Sequence, residues 1–347
     1  MMSKVNMTIS KQASKQASKQ ASKQASKQAS KISIIIPAYN CETTIERCIL
    51  GITKGTYNNI EVIVVDNGSE DSTKEIANKL ADKDDRIIVI HQNNQGPAGS
   101  RDTGLKNATG DYIAYCDSDD WFEPDCLESL MDFLTRYNAD IAVCRSQIPG
   151  KIIDYNPFEV QVWDKDGAID AFLEHKKLNG VLWNKLIRRE LFDGIEFDKT
   201  LWYWEDLAVV WKIMKRVNRV VRFNEAKYNF YVHPESMCAK KYSPNRIYSS
   251  LKVWNKIVED CSDAGMEEHS RNATVARFKW LYGDLKLMFK DDYDDKESMK
   301  TVQCIMRQTG TIGIKSLESK KDKIFASLCI ADLNLAKTMY KILNRSK

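Results

Sequence analysis

From Lys31 onward the chain alternates between two hydrophobic periods. Ile32–Ile36 is a β-branched run closed by Pro37, and Ile45, Cys48, Ile49 and Ile52 then recur at i, i+3, i+4 and i+7, the apolar face of a helix. Glu61–Val65 reads as the next strand and ends at Asp66. Ser69–Ser72 offers caps for a helix carrying Ile76 and Leu80, and Ile87–Ile90 is the third strand. Pro97–Ala108 predicts a helix, Tyr112–Cys116 a strand, Leu127, Leu130, Met131 and Leu134 a further helix, and Ile141–Cys144 a fifth strand. Continuous apolar strands alternating with amphipathic helices predict an α/β fold: a Rossmann-like, mostly parallel sheet flanked by helices on both faces.

After about Gly150 the alternation stops and aromatic residues accumulate: Trp163, Phe172, Trp183, Trp202, Tyr203, Trp204 and Trp211. Leu207, Val210, Trp211 and Met214 form a helix stripe, which places Glu205 and Asp206 at that helix's N-terminus. From about Tyr242 the pattern is helical, as in Phe278, Leu281, Leu285 and Met288, with a polar loop at Asp291–Glu297. The predicted organisation is a repeat tail at residues 1–31, a domain at 32–240 with halves at 32–145 and 146–240, and a helical C-terminal region at 241–347.

The tail holds five copies of Lys-Gln-Ala-Ser over residues 11–30 without one large apolar side chain. Such a tract cannot offset its ordering entropy, so it is expected to be disordered. The whole chain of 347 residues, 43% apolar with 15 Gly and 7 Pro, excludes collagen-like, disulfide-scaffold and wholly disordered classes. The formal charge of +4 acquires meaning once located. Residues 1–31 carry +7, residues 241–347 carry +6, and the stretch between them carries −9. An acidic body between basic ends gives no support for a nucleic-acid partner; the ends would suit peripheral contact with the inner, cytosolic membrane surface. The nine cysteines include no CxxC pair. With no apolar run near the roughly 20 residues of a membrane span and no signal-peptide pattern, a cytoplasmic protein with reduced thiols is expected.

Ligands of such sheets bind outside the carboxyl ends of the strands. Those ends are Pro37-Ala38-Tyr39-Asn40, Asp66-Asn67-Gly68, His91-Gln92-Asn93 and Asp117-Ser118-Asp119-Asp120. The glycine signatures GxGxxG and GxxxxGK are absent, which argues against a dehydrogenase or a P-loop enzyme. Asp117-Ser118-Asp119-Asp120 sets three carboxylates in four residues, a charge density that a hard divalent cation such as Mg2+ or Mn2+ would compensate. An isolated DxD is equally an acidic helix-capping loop. Asp66 could accept a hydrogen bond from a nucleobase or a ribose. Arg101, in the opening turns of a helix, suits a diphosphate, although a surface ion pair would use it as well. Together these residues describe a nucleoside-diphosphate site with a metal.

The segments IIIPAYNCE, IEVIVVDNGSEDST and NNQGPAGSRDTGLKNATGDYIAYCDSDD, continued by LWNKLIRREL, FDKTLWYWEDLAV and YNFYVHPESM, resemble the family 2 glycosyltransferases, inverting enzymes of the GT-A fold. The resemblance covers roughly residues 32–240 and implies a UDP-sugar donor, a saccharide or lipid-linked acceptor, and Mn2+ or Mg2+. It implies that Pro37, Ala38, Tyr39 and Glu42 line the nucleoside pocket and that Asp66 reads the uracil. Arg101 would lie near the base and phosphates, Asp117 and Ser118 would contact the donor, and Asp119 would hold the metal. Asp206 would be the catalytic base with Glu205 in support, and His233 would contact the diphosphate or complete the metal's shell. Trp183, Asn184 and Lys185 resemble the acceptor segment. Two departures stand out: Asn67, where the family more often has a second Asp, and Phe230-Tyr231, where Tyr-Arg is common. The competing class is a nucleotide-sugar-binding scaffold without catalysis in a polysaccharide synthase complex.

Overall fold

The computed structural model describes residues 30–151, 159–174, 177–233, 236–237 and 240–344. The repeat tract up to residue 29 and Pro234 lie outside the described residues. Two compact units share the chain without dividing it at one point. The first comprises the described residues up to Asp164 with Leu182–Ile195 and Arg216–Tyr231; the second comprises Lys165–Val181, Glu196–Lys215 and the described residues from Val232.

The first unit is built on one sheet. Its strands are β1 (Ile32–Ala38), β2 (Ile60–Asp66), β3 (Ile87–His91), β4 (Tyr112–Tyr115), β5 (Trp121–Phe122), β6 (Ile141–Gln147), β7 (Val160–Asp164), β8 (Lys185–Arg188) and β9 (Arg219–Asn229). The order is β3-β2-β1-β4-β8-β6-β9-β5, with β7 on β9. The expected parallel core is β3-β2-β1-β4, in register Ile34 with Val62 and Ala114. Every residue of β2 is buried, the mark of a strand covered on both faces. Beyond β4 the sheet is mixed: β8 enters antiparallel between β4 and β6, and β6 pairs parallel to β9. The sheet therefore continues past Gly150, where the sequence pattern shows no alternation.

Helices α1 (Ile45–Thr53), α2 (Thr73–Ala81), α3 (Gly96–Asn107) and α4 (Cys126–Arg136) follow the predicted stripes. Buried Ile45, Cys48, Ile49 and Ile52 of α1 meet the sheet core. Gly104 shows how closely α3 crosses β1, since a Cβ there would come within 2.3 Å of Ile35 Cγ2. At the opposite end of the sheet from the strand exits, Glu61 ties three elements. It accepts from Lys31 Nζ at 2.6 Å, Ser33 Oγ at 2.5 Å and the Thr109 backbone N–H at 2.6 Å. These bonds outweigh the upward pull of burial and hold its carboxyl down to about 2.

The second unit is helical: α5 (Lys165–Glu174), α6 (Glu205–Met214), α7 (Pro244–Asp263), α8 (Glu267–Lys290), α9 (Lys296–Lys315, kinked at Gly310), α10 (Lys320–Ala331) and α11 (Leu333–Asn344). The predicted stripe of Phe278, Leu281, Leu285 and Met288 is fully buried. Trp211 stacks on Phe172 at 5.9 Å and donates to Asp260 at 2.8 Å. Among the described residues no helix is long and apolar enough to cross a membrane.

Candidate active site

The strand exits of the first unit form one laced edge. After β1 the chain turns through Asn40, at φ 47°. Asn40 Oδ1 accepts from the Glu70 N–H at 2.9 Å, and Glu42 accepts from the Ser72 N–H at 3.0 Å. Glu42 thus holds the turn that opens α2, while the Tyr39 ring stays 46% exposed and Ala38 is buried. Of the four residues assigned to a nucleoside pocket, Tyr39 presents the open aromatic face.

Asp66 is 3% exposed and committed on both oxygens. Oδ1 accepts from the Ser69 N–H at 3.1 Å and Oδ2 lies 3.0 Å from His91 Nδ1. His91, at the end of β3, is a residue that strand periodicity located without giving it a role. Beside it, Asn67 uses both ends of its amide. Its Oδ1 accepts from Gln92 Nε2 at 2.7 Å and the Gln95 N–H at 3.0 Å, while Nδ2 donates to the Gly96 carbonyl at 3.1 Å and to Asn94 Oδ1 at 3.2 Å. This accounts for the departure noted above, because an aspartate could accept the first pair of bonds but not donate the second.

The acidic loop after β4 divides its carboxylates. Asp120 is fully buried, accepting from the Tyr228 hydroxyl at 2.6 Å and the Tyr231 N–H at 2.7 Å. Burial, together with the charges of Asp117 and Asp119, pushes its carboxyl up to about 8. Asp117 receives Arg101 Nη2 at 2.6 Å, so the guanidinium placed near the phosphates by sequence holds a carboxylate of the same edge. Ser118 bonds the Cys41 thiol. Asp119 is half-exposed, and its carbonyl accepts from Arg47 Nη2 at 2.6 Å. Arg47 in turn lies 4.0 Å from the Trp121 ring centroid and 4.8 Å from that of Tyr231. Neither Arg47 nor Tyr228 carries a sequence signal, since each meets the loop from a distant part of the chain.

Asp117 and Asp119 offer hard oxygen donors beside a carboxylate whose proton affinity their charge already raises. Mg2+ takes one or two carboxylates and completes its shell with phosphate oxygens and water, a demand this pair fits. Among the described residues no group of three or more His, Cys, Asp or Glu converges, so this pair by itself would supply only part of a metal's shell.

Trp183 stacks on Tyr228 at 4.4 Å and on Phe230 at 5.9 Å. With Ser146, Gln147 and Ile148, the rings of Trp183 and Phe230 line a groove of about 230 Å³. Asn184 and Lys185 instead point inward, 5% and 1% exposed. Asn184 donates to the Cys144 carbonyl at 3.1 Å and accepts from Lys185 Nζ at 2.8 Å, so of this segment the ring of Trp183 faces open space.

Glu205 and Asp206 belong to the second unit and open α6, as the stripe predicted. Glu205 is 7% exposed; Asp206 is more open, and its Oδ1 accepts from the Leu207 N–H at 2.7 Å. Trp204 caps the helix at φ 64°, ψ 15°, a left-handed conformation that costs a tryptophan on the order of 1–3 kcal/mol. Both acids stand in the first turn of the helix, where its dipole favours negative charge. His233 also lies in the second unit, half-exposed.

The mixed sheet, its acidic loop and the helical part define a GT-A glycosyltransferase fold. The structure of S. aureus TarS residues 1–349 solved with UDP-GlcNAc aligns with a TM-score of 0.69 at 19% identity, covering 91% of this chain and 92% of that one. Residues 33–195 match the family model Glycosyl transferase family 2. GlyA of Streptococcus pneumoniae is 31% identical over 223 residues, 59% of this chain and 31% of GlyA. EpsH of Bacillus subtilis is 36% identical over 168 residues, 47% of this chain and 48% of EpsH. The matches thus span about a third and about half the length of these relatives.

Proposed function

We propose that this protein transfers a sugar from a UDP-sugar to a hydroxyl of a saccharide or lipid-linked acceptor, with inversion, in polysaccharide biosynthesis at the cytosolic membrane face. The observation that carries this reading is the partition of the acidic loop. Asp120 is anchored inside by Tyr228, and Asp117 and Asp119 remain at the strand edge. The family-model match supports sugar transfer, and the UDP-GlcNAc complex of TarS supports UDP as the donor's nucleotide.

In this reading Tyr39 and Asp66 receive the nucleoside, and Asp117, oriented by Arg101, contacts the donor. Asp119 would hold Mg2+ or Mn2+ on the diphosphate, with His233 as a further ligand or phosphate contact. The ion, when bound, neutralises charge on the departing diphosphate. Asp206 takes the proton of the acceptor hydroxyl as its oxygen bonds to the anomeric carbon and the bond to UDP breaks on the opposite face. Displacement at one centre turns an α-linked donor into a β-linked product.

The test is turnover of a UDP-sugar panel by the purified chain with Mn2+ or Mg2+, including slow hydrolysis without acceptor. Hydrolysis or transfer of one donor is the expected result. Donor binding without turnover, with cell-derived lipid acceptors present, would overturn it in favour of the scaffold.

A further inference from the structure

The helical unit carries a half-open cavity of about 380 Å³ lined in part by Trp204, Arg246, Trp280, Asp284, Lys286 and Tyr340. Its walls are aromatic, with Trp204 meeting Trp280 edge to face at 4.7 Å. Its charges are unevenly matched. The Arg246 guanidinium lies 5.7 Å from the ring centroids of both Tyr203 and Tyr242, and its Nε is buried without a hydrogen-bond partner among the described residues. Arg246 forms no ion pair among those residues either. A partly desolvated guanidinium costs free energy that a carboxylate normally offsets.

The acid within its field is a weak counter-ion. Asp284 is 3% exposed and receives the Ser250 hydroxyl at 2.6 Å. Burial pushes its carboxyl up to about 6, with hydrogen bonds from Ser250 and Tyr242 and the charge of Arg246 pulling the other way. Lys286 adds a second cation, 4.4 Å from the Tyr282 ring centroid and 3.3 Å from Asp322. Aromatic walls bind the apolar faces of a sugar ring, and an unmatched guanidinium binds a phosphate or carboxylate in bidentate fashion. The cavity falls in the usual size range of small-ligand sites, about 300–1,000 Å³.

We propose that this cavity is a subsite for a saccharide unit bearing a phosphate or carboxylate, its ring against Trp204, Trp280 and Tyr340 and its anion on Arg246. Trp204 directly precedes Glu205 and Asp206 and holds the strained turn that starts their helix. A ligand touching Trp204 is therefore read by the same turn that carries the base. The assignment of this ligand as the acceptor rests on the function proposed above; the selectivity of the cavity does not.

The experiment is calorimetric titration of the full chain with glucose 6-phosphate and trigalacturonate, beside maltotriose and inorganic phosphate. At least one acidic saccharide is expected to bind about tenfold more tightly than maltotriose and phosphate. Arg246→Gln should weaken it about tenfold, and Lys300→Gln, an exposed control, should leave it unchanged. If Arg246→Gln does not fold by circular dichroism, Lys286→Gln is the second variant, with an expected loss of at least threefold. Equal binding of maltotriose or of phosphate alone, or affinity untouched by the Arg246 or Lys286 change, would overturn the proposal. UDP-sugar hydrolysis by the same preparation separates the two readings. Saccharide binding without hydrolysis counts against the proposed function alone, and hydrolysis without saccharide binding against the subsite alone.

Discussion

The hydroxyl of Tyr228 donates a 2.6 Å hydrogen bond to Asp120, and the same oxygen accepts from the Asp117 backbone N–H at 3.2 Å. One phenol in β9 therefore fixes both ends of the acidic loop, and Asp120 has no solvent to replace it. Tyr228→Phe should cost about 1–3 kcal/mol, the usual range for stranding a buried acceptor. It should also raise the KM for donor more than it lowers kcat. Urea unfolding and donor-saturation kinetics check the two parts; an unchanged midpoint would show that the loop is held by other contacts.

Asn67→Asp removes the two donations to Gly96 and Asn94 and sets a second carboxylate beside Asp66. The expected loss is about 2 kcal/mol, from the two lost donations and like-charge repulsion. The measurement is the thermal midpoint of the variant against that of the parent. A more stable variant would mean that the amide assignment at Asn67 is wrong.

Asp119→Ala and Asp206→Asn should both abolish turnover, at a cost of about 10²–10⁴-fold for losing the general base. They should differ in binding: donor affinity falls in Asp119→Ala and persists in Asp206→Asn. Full activity in Asp206→Asn would remove it from the mechanism.

Glu61 makes stability depend on acid. Its folded pKa, about 2, lies below the ordinary carboxylate value near 4.5. The unfolded chain thus binds the proton first as pH falls, and the stabilisation present above about pH 4.5 is lost progressively toward pH 2. Glu61→Gln should flatten that part of the stability curve. It should also lower stability at neutral pH by about 2–3 kcal/mol, since Lys31, Ser33 and Thr109 lose a charged acceptor. Denaturant melts of parent and variant between pH 2 and 7 give the comparison; parallel curves would rule the role out.

The first half of the fold was legible from local pattern. Strands β1 to β4 and helices α1 to α4 stand where the apolar periods put them, within a residue or two, because a strand or a helix writes its period into neighbouring residues. The same pattern missed β5, β7, β8 and β9. β5 and β8 are short, at two and four residues, and β8 begins with a buried lysine, so neither shows a period. Periodicity also carries no strand direction, and the antiparallel insertion of β8 between β4 and β6 had no local trace.

By itself, then, the sequence determined where candidate chemistry lies: acids at the strand exits, an acid pair opening a helix, and the match of residues 33–195 to the family 2 glycosyltransferase model. Tertiary structure decided which acid is buried and which stay at the strand edge. Tyr228 reaches Asp120 from 108 positions away and Arg101 reaches Asp117 from 16, and no spacing rule encodes such pairings. They depend on burial, which raises the cost of every unpaired charge and so selects, among the acids of one loop, the one held inside and those left at the edge.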